Sequence, residues 1–592
     1  MKLMLLSPEI LVQILQHTTA RDISSCQQVC RRLHDLVQSS VQLQYILTLH
    51  KTGYQPPLYA RADLDYSQMI EMLHDNRDGW RAAELKASFF IDVPYPKIDM
   101  ESEHPQAANQ IKIFVDGVFA YINQIRFTSR TRDIPKTVIH YHQLASVNKG
   151  VECKHWSHEL AHRVVDIVIQ PEADLLVLLV YNYVPGGGGD FDIHIRTMST
   201  NEPHPLATLP IITLNFTTPS QDHLIRQTQA LRIYGRMISI HCPGDSHAPV
   251  PESFTMVWNW ITGARIVSLQ LPPEAALLDM VFVSEEYIAS AIHRDSDYEL
   301  EQLGCLEIYR IPHEPGRVHP FARFMLPGSY AHAIGYITTY SREQSSMARG
   351  MQLRPEAKVF ELPWEDRQIC IRVSTMIDLP GPHGYHNRRD GTGGWLCVSS
   401  RVLLKLLEDR SRLTQGLSDH NEPHEIPWDE WGSHAAWIPM FWNNNPLMFT
   451  WGHRCAFILD ADAGDPTKPY AHAVIVHIVD LDQSRNRDKV TAPAHPETKV
   501  TQHSYRPALE YREGRLRNKH FMVTEDDEIF RQALRPDAYC THAFMVDISK
   551  LTGTHLTTGP SYYLRHFDMV MIDDKHSEQE QFLYKADFVD QM

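Results

Sequence analysis

The sharpest chemical pattern in the chain is His158-Glu159-Leu160-Ala161-His162. On a helix its two histidines would stand one turn apart and hold a zinc ion, with the glutamate activating a water for hydrolysis. Cys153 and His155 add ligand types just upstream. Three features weigh against that chemistry. The chain has 34 histidines, enough for chance alone to supply about 0.1 such spacings. The β-branched run Val164-Val165-Asp166-Ile167-Val168 follows at once and leaves no length for the helix. No further histidine follows at the metzincin spacing. The pattern is therefore read as the lead-in to a sheet, with a zinc hydrolase at His158, Glu159 and His162 kept as an alternative.

Other lures resolve the same way. Gly186-Gly187-Gly188-Gly189-Asp190 has the glycines of a phosphate loop but lacks the following Lys-Ser/Thr, and Phe191-Asp192-Ile193-His194-Ile195 starts a strand rather than a helix. It reads as a strand connection. His140 and His142 share one strand face and are expected to be solvated. No Gly-x-Ser-x-Gly elbow occurs. The Asn215-Phe216-Thr217 sequon is inert without secretion. The nine cysteines contain no Cys-x-x-Cys and read as reduced, buried thiols rather than a disulfide or zinc framework. No catalytic residue, metal or cofactor is assigned. Trp428, Trp431, Trp437, Trp442 and Trp451 are expected mainly in sheet cores, and Arg388, Arg389 and Asp390 in a glycine-rich recognition loop.

Composition sets the frame for these residues. Of 592 residues, 43% are hydrophobic and 22% charged, which excludes a mostly disordered chain. A net charge of −16 argues against a general nucleic-acid binder, which needs a basic surface. The longest aliphatic run, Leu175 to Val180, is far short of the roughly 20 residues of a membrane span. Leu3-Met4-Leu5-Leu6 is cut by Ser7-Pro8-Glu9 before it reaches the length of a signal-peptide core. With the reduced cysteines, this places the expected location in the cytoplasm, the nucleus or both, with no membrane partner.

The first fifty residues carry the most information. Ser7 can cap a helix with Pro8 at its first position, and Leu6 and Leu11 have the spacing of a hydrophobic staple. Ile10, Leu11, Ile14 and Leu15 share a face. Asp22 can cap a second helix, and Cys26, Val29, Cys30, Leu33, Leu36 and Val37 form another stripe. Two or three short amphipathic helices over 6–40 follow, too small to be stable alone, so they must pack on the rest of the chain or on a partner.

Leu6-Ser7-Pro8-Glu9-Ile10-Leu11, Ile14-Leu15, Asp22-Ile23 and Val29-Cys30-Arg31-Arg32-Leu33 closely resemble an F-box in order and spacing, at the end of the chain where F-boxes usually sit. Two departures are the Ser7-Pro8 opening and Thr18 in the place of the usual leucine. The resemblance implies binding to the Skp-type adaptor of a cullin–RING ubiquitin ligase. It also implies an adaptor-facing or supporting role for Leu6, Pro8, Ile10, Leu11, Ile14, Leu15, Ile23, Val29 and Leu33. Beyond the break at Tyr54-Gln55-Pro56-Pro57, apolar residues from Leu64 to Leu85 predict one or two helices, similar to the connector of large fungal F-box proteins.

From about residue 88 the texture changes to short strands separated by glycine, proline and Asx residues. Val257-Trp258-Asn259-Trp260-Ile261-Thr262-Gly263 resembles the end of a WD-type repeat. Ile195 to Asn201 lies 62 residues earlier, with Asn201 where Gly263 stands. Insertions are expected at 328–355, 379–394, 409–430 and 484–508, and a last strand at Phe567–Asp574. The expected class is α+β multidomain: an F-box over 1–50, a helical connector over 51–90, and a mainly-β domain over 91–592. That last domain is expected to be a degenerate β-propeller of six to eight blades. The implied function is a non-catalytic receptor subunit of an Skp–cullin–F-box (SCF) ligase that holds an unknown protein target. An interaction scaffold outside ubiquitin transfer is the alternative.

Overall fold

The computed structural model describes residues 5–82, 87–91, 108–125, 137–183, 189–214, 231–242, 254–270, 275–294, 305–312, 318–326, 333–339, 357–380, 386–414, 423–440, 448–451, 454–460, 473–480, 501–503, 541–547, 561–565, 568–572 and 584–588. A small helical region is followed by a mainly-β region of antiparallel sheets.

Helix α1 is Pro8–Gln16, α2 Ala20–Val29, α3 Arg31–Ser39, α4 Val41–Thr52 and α5 Tyr66–Ala82. Ser7 holds the N-cap position of α1 without a side-chain capping bond, and Pro8 follows it where no donor is needed. The cap of α2 is Thr19, not Asp22. Thr19 Oγ1 accepts from the Asp22 N–H at 3.1 Å while Asp22 Oδ2 accepts from the Thr19 N–H at 3.2 Å, so each satisfies the other's open donor. Cys30 alone, in extended conformation, separates α2 from α3. Gly53, at φ 89°, ends α4 in the left-handed region, which glycine enters without steric cost. Leu15, Ile23, Val37 and Leu43 form the core of the bundle, with Val12, Cys26, Leu36, Ile46 and Leu47 around it.

The β region is built sheet by sheet in chain order. The first sheet comprises Ala108–Val115, Val118–Ile125, Thr137–Gln143 and Lys154–Leu160. The second comprises Arg163–Gln170, Leu175–Tyr183, Gly189–Thr197 and Ile211–Leu214. The third comprises Leu231–Tyr234, Met237–Cys242, Phe254–Asn259 and Arg265–Gln270. The fourth comprises Ala275–Phe282, Tyr287–Arg294, Cys305–Arg310 and Pro320–Met325. The fifth comprises Ala333–Thr339, Gln368–Pro380, His386–Ser399 and Ala435–Met440. The sixth runs Met448–Trp451, Arg454–Asp460, Ala473–Asp480 and Thr541–Asp547, with Thr501–His503 on its outer edge. Ser561–Arg565 pairs with Asp568–Ile572, and Tyr584–Phe588 pairs antiparallel with Ala87–Ile91.

The run Leu175 to Val180 shows how the sheets share their cores. Leu176, Leu178 and Val180 join a cluster with Ile111, Ile122, Ile139 and Leu160 of the first sheet. Leu175, Val177 and Leu179 join one with Leu231, Ile238 and Trp258 of the third. A strand buried on both faces loses the apolar–polar alternation and reads as a continuous aliphatic stretch. The third and fourth sheets share Val257, Met280 and Ile292 in one cluster. The fourth and fifth share Ile308, Phe324, Ile371 and Leu396 in another. The two similar segments share a turn: Asn201 at φ 60° and Gly263 at φ 73° each donate their N–H four residues back, to Thr197 and Asn259.

Several expectations shift. Residues 386–394 are strand rather than glycine-rich loop: Gln368–Pro380 and His386–Ser399 form a long hairpin in which Arg388 and Arg389 oppose Asp378 and Ile377. Trp428 and Trp431 reach the expected sheet core from the short helix α7 (Trp428–Trp431), after α6 (Ser400–Thr414). Both rings are buried, with Leu403 and Leu407, in the core shared by the fourth and fifth sheets. From the same excursion His424–Ile426 adds to the fourth sheet as a parallel edge strand beside Ala322–Phe324. The last described strand is Tyr584–Phe588, beyond Asp568–Ile572. Trp442 and most of 328–355 and 484–508 lie outside the described residues.

Residues 358–361 tie the helices to the sheets. On the helical side the Tyr45 hydroxyl donates to the Val359 carbonyl, Tyr54 stacks on Phe360 at 4.3 Å, and Gln55 and Glu361 exchange backbone bonds of 2.8 and 3.1 Å. On the sheet side the Asn148 carboxamide accepts from the N–H groups of Val359 and Phe360 at 2.9 and 3.2 Å and donates to the Phe360 carbonyl at 3.3 Å. Lys358 is buried in an ion pair with Glu172, and Lys149 pairs with Asp116 at 2.8 Å nearby. Burial opposes the Lys358 charge, but the carboxylates of Asp116 and Glu172 outweigh it and hold the ammonium above the ordinary lysine range. Replacing Lys358 by Met leaves Glu172 buried beside an apolar side chain. It should cost about 3–5 kcal/mol, and the Lys358→Met, Glu172→Leu pair should recover most of the loss. Thermal melts of the two variants check this.

Candidate functional site

The structure divides the candidate residues of the helical bundle into two sets. Leu11, Leu15, Ile23 and Leu33 are buried and hold the helices together. Pro8, Ile10, Ile14 and Val29 are at the surface, and Leu6 is half-buried. Ile10 and Ile14, 46% and 39% exposed, are one turn apart on α1 and so share a face. Val29, 72% exposed, ends α2. The Arg32 guanidinium donates to the Leu6 carbonyl at 2.8 Å, which holds the segment before α1 against the start of α3, close in sequence to Val29. Two further apolar side chains are exposed that the sequence reading did not single out. Leu5 lies before the helix and Val41 is the first residue of α4. Leu5 has no helical periodicity to mark it, and Val41 follows its Ser40 cap like any first-turn residue.

Single exposed hydrophobics are ordinary on a protein surface. Side chains a helical turn apart, on a bundle whose own core is already filled, are the raw material of helix-in-groove docking. Residues 8–45 match the F-box-like family. The F-box-like domain thus covers α1, α2, α3 and the start of α4, and the bundle core lies within it or just beyond. No curated protein matches the chain.

Solved structures similar to this chain resemble it only distantly. An acylaminoacyl peptidase from Pyrococcus horikoshii is 8% identical over 63% of this chain and 58% of its own, with a TM-score of 0.23. The β-propeller domain of the Trilobed protease from Pyrococcus furiosus is 11% identical over 49% of this chain and 91% of its own, at 0.23. Prolyl oligopeptidase B from Galerina marginata is 10% identical over 81% of this chain and 59% of its own, at 0.24. The chain thus spans less than two-thirds of the first of these peptidases, and likeness at this level carries no argument about activity.

The histidine pattern near residue 158 takes a different geometry from a zinc hydrolase. Lys154–Leu160 is a strand, so His158 and Glu159 point to opposite faces. His158 Nε2 lies 3.1 Å from the Met198 carbonyl, while His162 packs edge-on against His194. No metal-sized group of His, Cys, Asp and Glu occurs among the described residues. His140 and His142 are packed rather than solvated. Tyr121 stacks on both, at 4.9 and 5.8 Å, and His155 lies 4.4 Å from His142. Among the described residues no helix is long and apolar enough to cross a membrane.

The two sets of bundle residues should respond differently to charge. An Ile10→Asp, Val29→Asp variant should melt within about 0.5 kcal/mol of wild type per site, whereas Leu11→Asp buries a carboxylate and should cost about 3 kcal/mol or more. Circular dichroism melts distinguish them. Burial pushes His142 and His194 each down to about 4, aided by neighbouring histidines. Such groups stay neutral in the fold while the unfolded chain takes up protons near 6.5. Stability is therefore full above that pH and is lost as pH falls from there toward about 4. The melting midpoint should drop between pH 6.5 and 5, and His142→Gln with His194→Gln should flatten the slope.

Proposed function

We propose that the chain is a non-catalytic substrate receptor of an SCF-type ubiquitin ligase. The observation that carries this reading is the F-box-like match at residues 8–45 on a bundle that leaves Ile10, Ile14 and Val29 outside its own core. In this reading Leu5, Leu6, Pro8, Ile10, Ile14 and Val29 meet the Skp-type adaptor, while Leu11, Leu15, Ile23 and Leu33 support them from below. The mechanism is proximity. The adaptor and cullin–RING subunits bring a ubiquitin-charged enzyme to the target, and the receptor raises the local concentration of acceptor lysines without touching a reacting atom.

The β region is the target-holding part in this proposal, as a degenerate propeller. Six sheets follow one another in chain order, and consecutive sheets from the first to the fifth share their cores face to face, which is how blades pack. The terminal strands, with Ala87–Ile91 paired to Tyr584–Phe588, would supply a seventh blade. The cysteine usage fits a reducing compartment, cytoplasmic or nuclear.

Co-purification of the full chain with a Skp-type adaptor and a cullin tests the reading, beside an Ile10→Asp, Ile14→Asp, Val29→Asp variant. The expected result is a stable ternary complex that the variant loses while keeping its melting temperature. A folded wild type that binds neither subunit overturns the proposal. Adaptor binding without cullin points to the scaffold alternative.

A further inference from the structure

We propose that Cys370 and Cys397 are a redox-sensitive pair that closes to a reversible disulfide across the fifth sheet. The proposal stands apart from the adaptor reading and rests on the hairpin Gln368–Pro380 and His386–Ser399. Cys370 and Cys397 are directly opposed in its antiparallel register. Their sulfurs lie 3.0 Å apart, and both residues are buried. Directly opposed antiparallel residues have Cα separations of about 4.5–5.5 Å, inside the range of about 4.4–6.8 Å that a disulfide spans. Only a small side-chain rotation separates the thiols from bonding distance. On either side Ile369 faces Val398 and Ile371 faces Leu396. All four side chains are buried in the core shared with the fourth sheet, which fixes the backbone and holds the register.

The pair lies near the end of the ladder. Gln368 and Ser399, two residues from the cysteines, form the last pair of the ladder between these two strands. Local opening at such a corner costs less than opening the sheet centre and admits a small oxidant. The reaction is a two-electron oxidation by a hydroperoxide. The Cys370 thiolate attacks the peroxide oxygen, the O–O bond breaks, and a sulfenic acid forms with release of an alcohol, or of water from hydrogen peroxide. The Cys397 thiol then attacks the sulfenic sulfur, the S–O bond breaks, and a second product, water, leaves as the disulfide forms. A dithiol reductant returns both thiols by exchange. The closed form would clamp the base of the hairpin whose outer half carries Arg388, Arg389 and Asp390, so oxidation state would control how firmly that hairpin is anchored.

The test treats the native full-length chain with hydrogen peroxide, blocks remaining thiols with N-ethylmaleimide, and maps linked peptides by mass spectrometry with and without dithiothreitol. The expected result is a Cys370–Cys397 cross-linked peptide, lighter by two hydrogens, that forms while the circular dichroism spectrum is unchanged and disappears on reduction. Cys370→Ser and Cys397→Ser should each abolish it, and Cys305→Ser, a buried cysteine of the fourth sheet, should not. The proposal fails if Cys370 and Cys397 remain thiols when the exposed Cys153 is already oxidised, or if the linkage appears only in urea. The wild-type mapping decides the matter even if a serine variant does not fold.

Discussion

A buried lysine holds the two halves of this molecule together. Lys358 lies on the segment 357–367 that leads into Gln368–Pro380 of the fifth sheet and bonds with α4 and the chain after it. Burying an ammonium is expensive unless carboxylates meet it. Glu172 from the second sheet and Asp116 from the first supply that charge, and the Asn148 carboxamide satisfies the adjacent backbone. Because these groups come from separate parts of the chain, the helical bundle is seated on the sheets at a fixed place rather than tethered by a loose connector. In the proposed receptor role such a seat matters, since the distance between the two ends sets the reach of the complex.

The stacking of the sheets has a comparable economy. Each sheet from the second to the fourth lends residues to a core shared with its predecessor and to another shared with its successor. Stability is therefore shared between neighbouring sheets, each dependent on the next. The left-handed turn residues Asn201 and Gly263 mark corresponding corners of the second and third sheets. Asparagine serves where glycine would because it tolerates that conformation better than most residues.

Much of this was legible in the residues. Strong local signals survived: the β-branched run Val164–Val168, the strand start Phe191–Ile195 and the stripe from Ile10 to Leu15 all became elements. What failed was long-range. Nothing near residue 358 in sequence announces that it will meet Tyr45, Asn148 and Glu172. The glycines at 391, 393 and 394 suggested a loop, but pairing with Gln368–Pro380 overrode that local preference. Trp428 and Trp431 do lie in a sheet core, as expected, but they reach it from a short helix that Pro427 and the acidic Asp429 and Glu430 open. In the bundle, periodicity found the apolar positions but could not separate those facing inward from those facing out. Leu11 and Ile10 differ by one residue and by nearly all of their exposure.

The parallel strand His424–Ile426 has a consequence for how the chain reaches its native state. It completes the outer edge of the fourth sheet, but it is delivered by an excursion between the third and fourth strands of the fifth. The fourth sheet cannot be finished until three of the fifth sheet's four strands have been synthesised. Its edge beside Pro320–Met325, a natural site for joining a strand of another chain, stays open during that interval and is then closed by the protein's own backbone. Order of synthesis and order of assembly diverge here, as they do where Ala87–Ile91 pairs with Tyr584–Phe588. An edge left open in this way leaves a nascent chain in need of protection from its neighbours.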